Sequence, residues 1–265
     1  MKKKLSRNQT FLLITIPVLL LFFCFNTLPL IKGFMYSFTN FKGFGSYDIV
    51  GLRNYIDLFT DARVGKSYLF TFKFAILATI ITNIIALILA LGLNSKIKAK
   101  STLRGIYFVP RILGGLVVGY IFGYIFTYIL PAVTGTSSML SSTNTAWIAI
   151  VIVASWQAIA QTTLIYISGL QTVPEDVYEA GAIDGATGWK SFKSLTLPLI
   201  IPFLSINMVL SMKDFLMVFD QIMALTKGGP AQSTESISYL IYSNGIGGGQ
   251  FGFQSANAVI FFIVI

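Results

Sequence analysis

The stretch Phe74–Leu93, FAILATIITNIIALILALGL, runs for 20 residues without a charge. At 1.5 Å per residue a helix of that length reaches about 30 Å, the thickness of a bilayer's hydrocarbon core. Comparable runs lie on both sides of it. Phe11–Ile31 follows the basic opening MKKKLSRNQT, Ile112–Leu130 follows Val109-Pro110-Arg111, and Ala146–Ile167 follows the uncharged loop TGTSSMLSSTNT. A fifth run starts near Pro198 and continues to about Leu225, although it contains Lys213, Asp214 and Asp220. A last run starts at Phe253 or Ala256 and is still apolar at Ile265. The pattern predicts an all-α transmembrane bundle of six spans. The last span covers only about 20 Å from Phe253 at a helical rise, so it is expected to be incomplete within these residues. The expected organisation is a cytoplasmic segment at 1–10 followed by a single transmembrane domain over 11–265.

Composition supports the same class. Hydrophobic residues make up 55% of the 265 and charged residues 11%, whereas a soluble domain averages about 45–50% and about 25%. There is no His and a single Cys, Cys24, which excludes His/Cys metal clusters, CxxC redox pairs, Ser-His-Asp triads and intrachain disulfides. The apolar run after the basic opening has the outline of a secretory signal peptide, but it lacks a small-x-small cleavage site, and Cys24 follows bulky Phe23. It is expected to be retained as the first span. The formal charge of +9 is no sign of nucleic acid, because the basic residues lie between spans and report topology.

With the N-terminus inside, the inner segments carry Lys2, Lys3, Lys4, Arg7, Lys96, Lys98, Lys100, Arg104, Lys190 and Lys193. The outer segments carry Lys42, Arg53, Arg63, Lys66 and Lys227. Short inner loops hold the excess of Lys and Arg, so the N-terminus is expected in the cytoplasm. Residues 37–73 then form the longest polar connection, on the outside, and the loop 171–197 faces the cytoplasm. In the third run Gly115, Gly119 and Gly123 recur every four residues, on one helix face that permits close helix contact.

The cytoplasmic loop holds the most informative local pattern, Thr172-Val-Pro-Glu-Asp-Val-Tyr-Glu-Ala-Gly-Ala-Ile-Asp-Gly-Ala-Thr187. Thr172 and Glu175 have capping-box spacing, and Pro174, Glu175 and Asp176 suit a first helical turn. Val177, Ala180, Gly181 and Asp184 fall on one narrow face, whose small central residues let another backbone approach closely. Gly185 and Gly188 can end or turn the helix, and Pro198 and Pro202 mark the return to the membrane. The same pattern also describes an ordinary capped surface helix between two spans, and periodicity does not identify a partner.

Tyr178-Glu-Ala-Gly-Ala-Ile-Asp-Gly-Ala-Thr187, followed by Phe192 and Leu195-Thr-Leu-Pro198, resembles the cytoplasmic loop of the inner-membrane permease subunits of binding-protein-dependent ABC importers. Gly181 stands where that loop usually has Ala. Gly51-Leu-Arg-Asn-Tyr55, Arg104-Gly-Ile-Tyr-Phe-Val-Pro110 and Phe219-Asp-Gln-Ile222 with Leu225-Thr-Lys-Gly-Gly-Pro230 are similar to the carbohydrate-uptake branch, which includes the maltose and glycerol-phosphate permeases. The resemblance implies that 173–187 is a coupling helix held in a groove of a cytoplasmic P-loop ATPase dimer. It implies that Glu179 makes a polar contact there, that Ala180 and Gly181 allow close insertion beside Asp184, and that Gly185 sets the next turn. It also implies a homologous second permease, an extracytoplasmic solute-binding protein that delivers a sugar, and a place in a prokaryotic cytoplasmic membrane. ATP and Mg belong to the ATPase, and no cofactor or catalysis is expected here. The chain contains no GxxxxGK[ST], and the glycines at 245–249 lack its Lys-Ser/Thr ending.

Polar groups inside spans are expensive in lipid and point to an interior path. Trp156, Gln157, Asn207, Ser211 and Lys213 are the candidates for a sugar path, with Asn83, Gln161, Asp214 and Asp220 as further intramembrane polar groups. Each could equally serve hydrogen bonding between helices. Glycerol-phosphate import, an ion-coupled carrier with Asp214 and Asp220 as ion ligands, and a purely structural membrane subunit are the competing readings.

Overall fold

A computed structural model describes residues 7–94, 105 and 109–265, with side chains from residue 11 onward within those ranges. The basic residues Lys2, Lys3, Lys4, Lys96, Lys98, Lys100 and Arg104, the side chain of Arg7, and most of the motif at 104–110 lie outside the described residues. Five helical stretches are long and apolar enough to cross a membrane: Phe11–Tyr36, Ala62–Asn94, Gly115–Thr134, Ala146–Leu170 and Gly188–Leu216. A shorter apolar helix spans Phe251–Val264. The chain is thus an all-α, multi-pass membrane protein. It divides into two compact units, Met1–Val64 with Leu240–Ile265, and Gly65–Tyr239.

Three of the long stretches widen into a five-residue π-turn, at Phe23–Thr27, Ile125–Ile129 and Phe192–Thr196. Each turn stops before a Leu-Pro pair, Leu28-Pro29, Leu130-Pro131 and Leu197-Pro198. A proline has no N–H to donate and its ring crowds the carbonyl four residues back. The leucine N–H in each pair instead reaches the carbonyl five residues back, at Phe23, Ile125 and Phe192, which gives the crowded carbonyl room. Pro17 and Pro202 lie inside α-helical segments without such a turn, so proline permits the widening without dictating it.

In the first unit the apolar side chains of Phe11–Tyr36 are exposed along most of their length, as suits a helix bathed in lipid. Beyond it, Asn54 donates from Nδ2 to the carbonyls of Ser37 and Thr39, 2.8 Å each, and the Tyr55 hydroxyl lies 2.7 Å from Ser37 Oγ. Gly51 turns the chain with φ +62°. Three positions of the Gly51-Leu-Arg-Asn-Tyr55 motif therefore close one loop. The connection is shorter than 37–73, because Arg53–Thr60 is helical and the next helix begins at Ala62. Asp61 Oδ1 accepts the N–H groups of Arg63 at 2.7 Å and Val64 at 3.2 Å, which satisfies the orphan donors of a helix start. Farther along that helix, in the second unit, Lys73 lies over the Trp147 ring at 5.5 Å.

The second unit packs the 62–94, 115–134, 146–170 and 188–216 helices through small residues. Ala75, Ala78, Ala86 and Ala90 are fully buried on the first of these, and Ala149 and Ala154 are buried on the third. Lipid provides no hydrophobic force between helices, so close backbone approach and the resulting dispersion contacts hold them together. The expected glycine face is used this way: Gly115 lies under Asp220, Gly119 against Ala224 and Gly123 near Leu225. These pairs follow the same order on both segments, so the two helices run parallel.

Two spans differ from the sequence expectation. The fifth run does not continue to Leu225. Its helix ends at Leu216, and a separate helix, Asp220–Leu225, follows. No Gly or Pro marks this break. The Val218 carbonyl instead accepts Ser236 Oγ at 2.9 Å, a bond from a distant loop that replaces an intrahelical one. The third run is helical at 109–112, leaves that geometry at Leu113 and Gly114, and restarts at Gly115.

A side chain at Gly119 would meet Ala224. Gly119→Leu should therefore lose about 1–3 kcal/mol, read as a lower thermal unfolding midpoint in detergent. Gly65→Ala, which meets open space, should leave the midpoint unchanged or slightly higher through better helix propensity.

Candidate functional site

Two candidate sites lie in the second unit, an exposed loop and a cleft at mid-span. The loop helix covers Glu175–Ile183, with Pro174 extended at its N-cap (φ −63°, ψ 144°) and Glu175 and Asp176 in its first turn, where carboxylates oppose the positive end of the helix. The expected capping box does not form. Thr172 Oγ1 donates to the Gly169 carbonyl at 2.7 Å and so closes the preceding helix. The C-terminus is a Schellman turn: Ala186 N donates to Gly181 O at 2.7 Å and Gly185 N to Ala182 O at 3.1 Å. Gly185 adopts φ +72°, a conformation that costs other residues about 1–2 kcal/mol. Its role is thus conformational.

The small face of this helix is split. Gly181 is buried, and a Cβ there would strike Leu195 of the same chain. Tyr178 reinforces the seat, its hydroxyl 3.2 Å from Thr196 Oγ1. Gly181 therefore lets the helix settle on its own fifth span, a correction to the expectation that it faces outward with Ala180. Glu179, Ala180 and Asp184 are exposed, and so is Ile183, at 88%. Trp189, exposed at 75%, stacks obliquely on Phe192 with 5.1 Å between ring centres. The outward surface therefore offers acids around an apolar residue, with an indole ring nearby.

The cleft has a volume of about 380 Å³ and is lined by Arg111, Gln157, Lys213, Asp214, Asp220 and Gln221, among others. Gln157 lies near the middle of the 146–170 helix, about 17 Å from one end and about 20 Å from the other at a rise of 1.5 Å per residue. The cleft is thus near half the depth of the span. Among the described residues, none of its four charged side chains makes an ion pair. Charges at that depth require water or a polar partner, so the cleft is a polar space within the span.

Of the expected path residues, Gln157 and Lys213 line this cleft, and Trp156, Asn207 and Ser211 do not. Trp156 turns away to Phe122, with ring centres 5.2 Å apart. Asn207 is buried and donates to the Thr162 carbonyl at 3.1 Å. Ser211 accepts Asn83 Nδ2 at 3.3 Å, while Asn83 Oδ1 accepts the Tyr166 hydroxyl at 2.8 Å. These groups tie three helices together, which is the helix-bonding alternative for them. Arg111 and Gln221 line the cleft as well, although neither is among the path residues expected from the sequence. Arg111 directly follows Pro110 and Gln221 belongs to the Phe219-Asp-Gln-Ile222 motif, so a signal was present for both. Among the described residues no group of three or more His, Cys, Asp or Glu is arranged to hold a metal.

Comparison with known proteins shows the family. Residues 82–265 match the family described as binding-protein-dependent transport system inner membrane component. The multiple sugar-binding transport system permease protein of Streptococcus mutans is 39% identical over 264 residues, 97% of this chain and 90% of that one. The trehalose/maltose transport system permease protein of Thermococcus litoralis is 35% identical over 262 residues, 96% of this chain and 88% of that one. A solved bacterial ABC transporter involved in import of the acidic polysaccharide alginate shares the fold, with a TM-score of 0.82 at 19% identity over 98% of this chain and 92% of that one. Likeness over nearly the whole of this chain shows its class: it belongs to the binding-protein-dependent transport system inner membrane component family and is a permease subunit of an ABC importer.

Proposed function

We propose that this permease imports a mono- or oligosaccharide across a prokaryotic cytoplasmic membrane. The observation that carries the reading is the full-length likeness to sugar permeases of two different organisms. In this reading the chain crosses the membrane six times from a cytoplasmic N-terminus, and it works as one permease domain beside a homologous permease subunit. An extracytoplasmic solute-binding protein delivers the sugar, and a cytoplasmic P-loop ATPase dimer binds ATP and Mg and performs the hydrolysis.

The loop helix is the energy connection. Glu179 and Asp184 are the polar contacts on the ATPase, Ala180 permits close approach and Gly185 holds the turn. ATPase closure pulls the loop, and the two long helices that flank it, 146–170 and 188–216, carry the displacement toward the cleft. There Arg111, Gln157, Lys213, Asp214, Asp220 and Gln221 offer donors and acceptors of the kind that hydroxyl groups require.

Glycerol phosphate is the second reading, favoured by Arg111 and Lys213 lining one cleft. A phosphate needs cationic donors, and substituting both residues should then abolish uptake of the phosphate ester while sparing neutral sugars. Membership of a binding-protein-dependent family removes the ion-coupled carrier.

Glu179→Ala and Gly185→Val should each lower ATP-dependent sugar uptake in reconstituted vesicles by about fivefold or more, as an interface losing about 1–2 kcal/mol would, with membrane levels unchanged. Uptake at the parent rate in the double variant would refute the coupling role. Gly181→Leu should displace Leu195 and speed limited proteolysis within 171–197, whereas Ala180→Leu, on the exposed side, should not.

A further inference from the structure

Two helices beside the cleft are interrupted at its level, and the helix between them is continuous. The first break is at Leu113 and Gly114, the second at Met217–Phe219, and Gln157 sits opposite both on the 146–170 helix. A break leaves carbonyls of the first half without donors, a serious cost where lipid offers no replacement. Gln157 supplies a donor: its Nε2 lies 3.3 Å from the Leu113 carbonyl oxygen and at the longer distance of 3.5 Å from that of Pro110. Its Oε1 accepts Gln221 Nε2 at 2.7 Å. One amide, only 7% exposed, thereby holds both interrupted helices to the continuous one.

The packing on either side of the breaks gives this bond its importance. On one side the 115–134 and 220–225 helices are locked together by Asp220 over Gly115 and Ala224 on Gly119. On the other, 197–216 is bonded to 146–170 through Asn207 and Thr162, and to 62–94 through Ser211 and Asn83. The two sets share one apolar core, in which Val118 and Ile222 pack with Ile150 and Phe215, and the Gln157 amide adds a polar link where the two interrupted helices break. From Gln157 the 146–170 helix continues unbroken for about 20 Å to the loop that bears the 175–183 helix.

We propose that Gln157 is the positioning residue that transmits movement of the coupling loop to the cleft, by gripping the ends of both interrupted helices. The inference deepens the importer reading and rests on it. Gln157→Leu removes both arms of the grip and leaves the Gln221 amide without its partner. Gln221→Leu removes one arm. Gln157→Glu keeps the acceptor for Gln221 and, when ionised, loses the donor to Leu113.

The test uses the assembled transporter with its second permease, ATPase and solute-binding protein, in a Cys24→Ser background carrying Met217→Cys. Met217 lines the cleft and is 51% exposed, and the probe is a water-soluble maleimide. Labelling rates are measured without nucleotide and with ATP and vanadate. With Gln157 intact the two rates should differ by at least about fivefold, the lower end of ordinary coupling between sites. Gln157→Leu should reduce the ratio below about twofold, with Gln221→Leu and Gln157→Glu in between. A residue that only supports local packing would shift both rates together and keep their ratio, and that result overturns the proposal. If Gln157→Leu fails to co-purify with its partners, the other two variants decide, and a full ratio in both overturns it. Equal rates with Gln157 intact also overturn it. ATP-driven uptake by that same complex would then leave the importer reading standing alone.

Discussion

Every peptide N–H and C=O within the hydrocarbon must find its partner inside the protein, and this rule governs both the regular and the irregular parts of the chain. Where the spans are plain α-helix it is met automatically. Where a proline removes a donor, the leucine before it bonds five residues back and the helix widens. Where the helices of the cleft break, side chains from elsewhere take over, Gln157 at Leu113 and Ser236 at Val218. Irregular backbone is tolerated at mid-span because it borders a polar cleft and has been bonded from outside its own helix.

The same economy of polar groups separates two kinds of polar residue within the spans. Asn83, Tyr166, Asn207 and Ser211 spend their hydrogen bonds on one another and on backbone carbonyls, and so fix three helices at a common depth. Arg111, Lys213, Asp214 and Asp220 keep theirs for the cleft. A permease needs both: a part that does not deform and a part that can meet a passenger. Gln157 and Gln221 belong to neither group alone, since they line the cleft and are bonded to each other.

Length and charge made the long spans readable, because crossing about 30 Å of hydrocarbon leaves few alternatives to about 20 apolar residues. Gly115, Gly119 and Gly123 disclosed a contact face for a similarly local reason. The break after Leu216 was not readable. The stretch from Lys213 to Asp220 contains no Gly or Pro, and the bond that satisfies the Val218 carbonyl comes from Ser236, 18 residues on. Asn207 and Gln157 look alike in sequence, each an amide among apolar neighbours, and only the position of other helices sends one into a buried bond and the other to a cleft. At the loop, Thr172 was three residues before Glu175 as a capping box requires, yet the nearer Gly169 carbonyl captured its hydroxyl. Gly181 had the right size for close approach, and the neighbour it approaches is Leu195.

The π-turns also change how the flanking faces must be compared. A turn bonded over five residues accommodates one residue more than an α-turn, which advances the angular position of everything beyond it by about 100° on a wheel of 3.6 residues per turn. A wheel drawn at constant period through Phe192–Thr196 therefore assigns the wrong azimuth to the span that follows, and its phase has to be reset at Leu197. In an alignment with a relative whose helix is regular there, a one-residue gap belongs inside the membrane, at the Leu-Pro pair, and not in a loop.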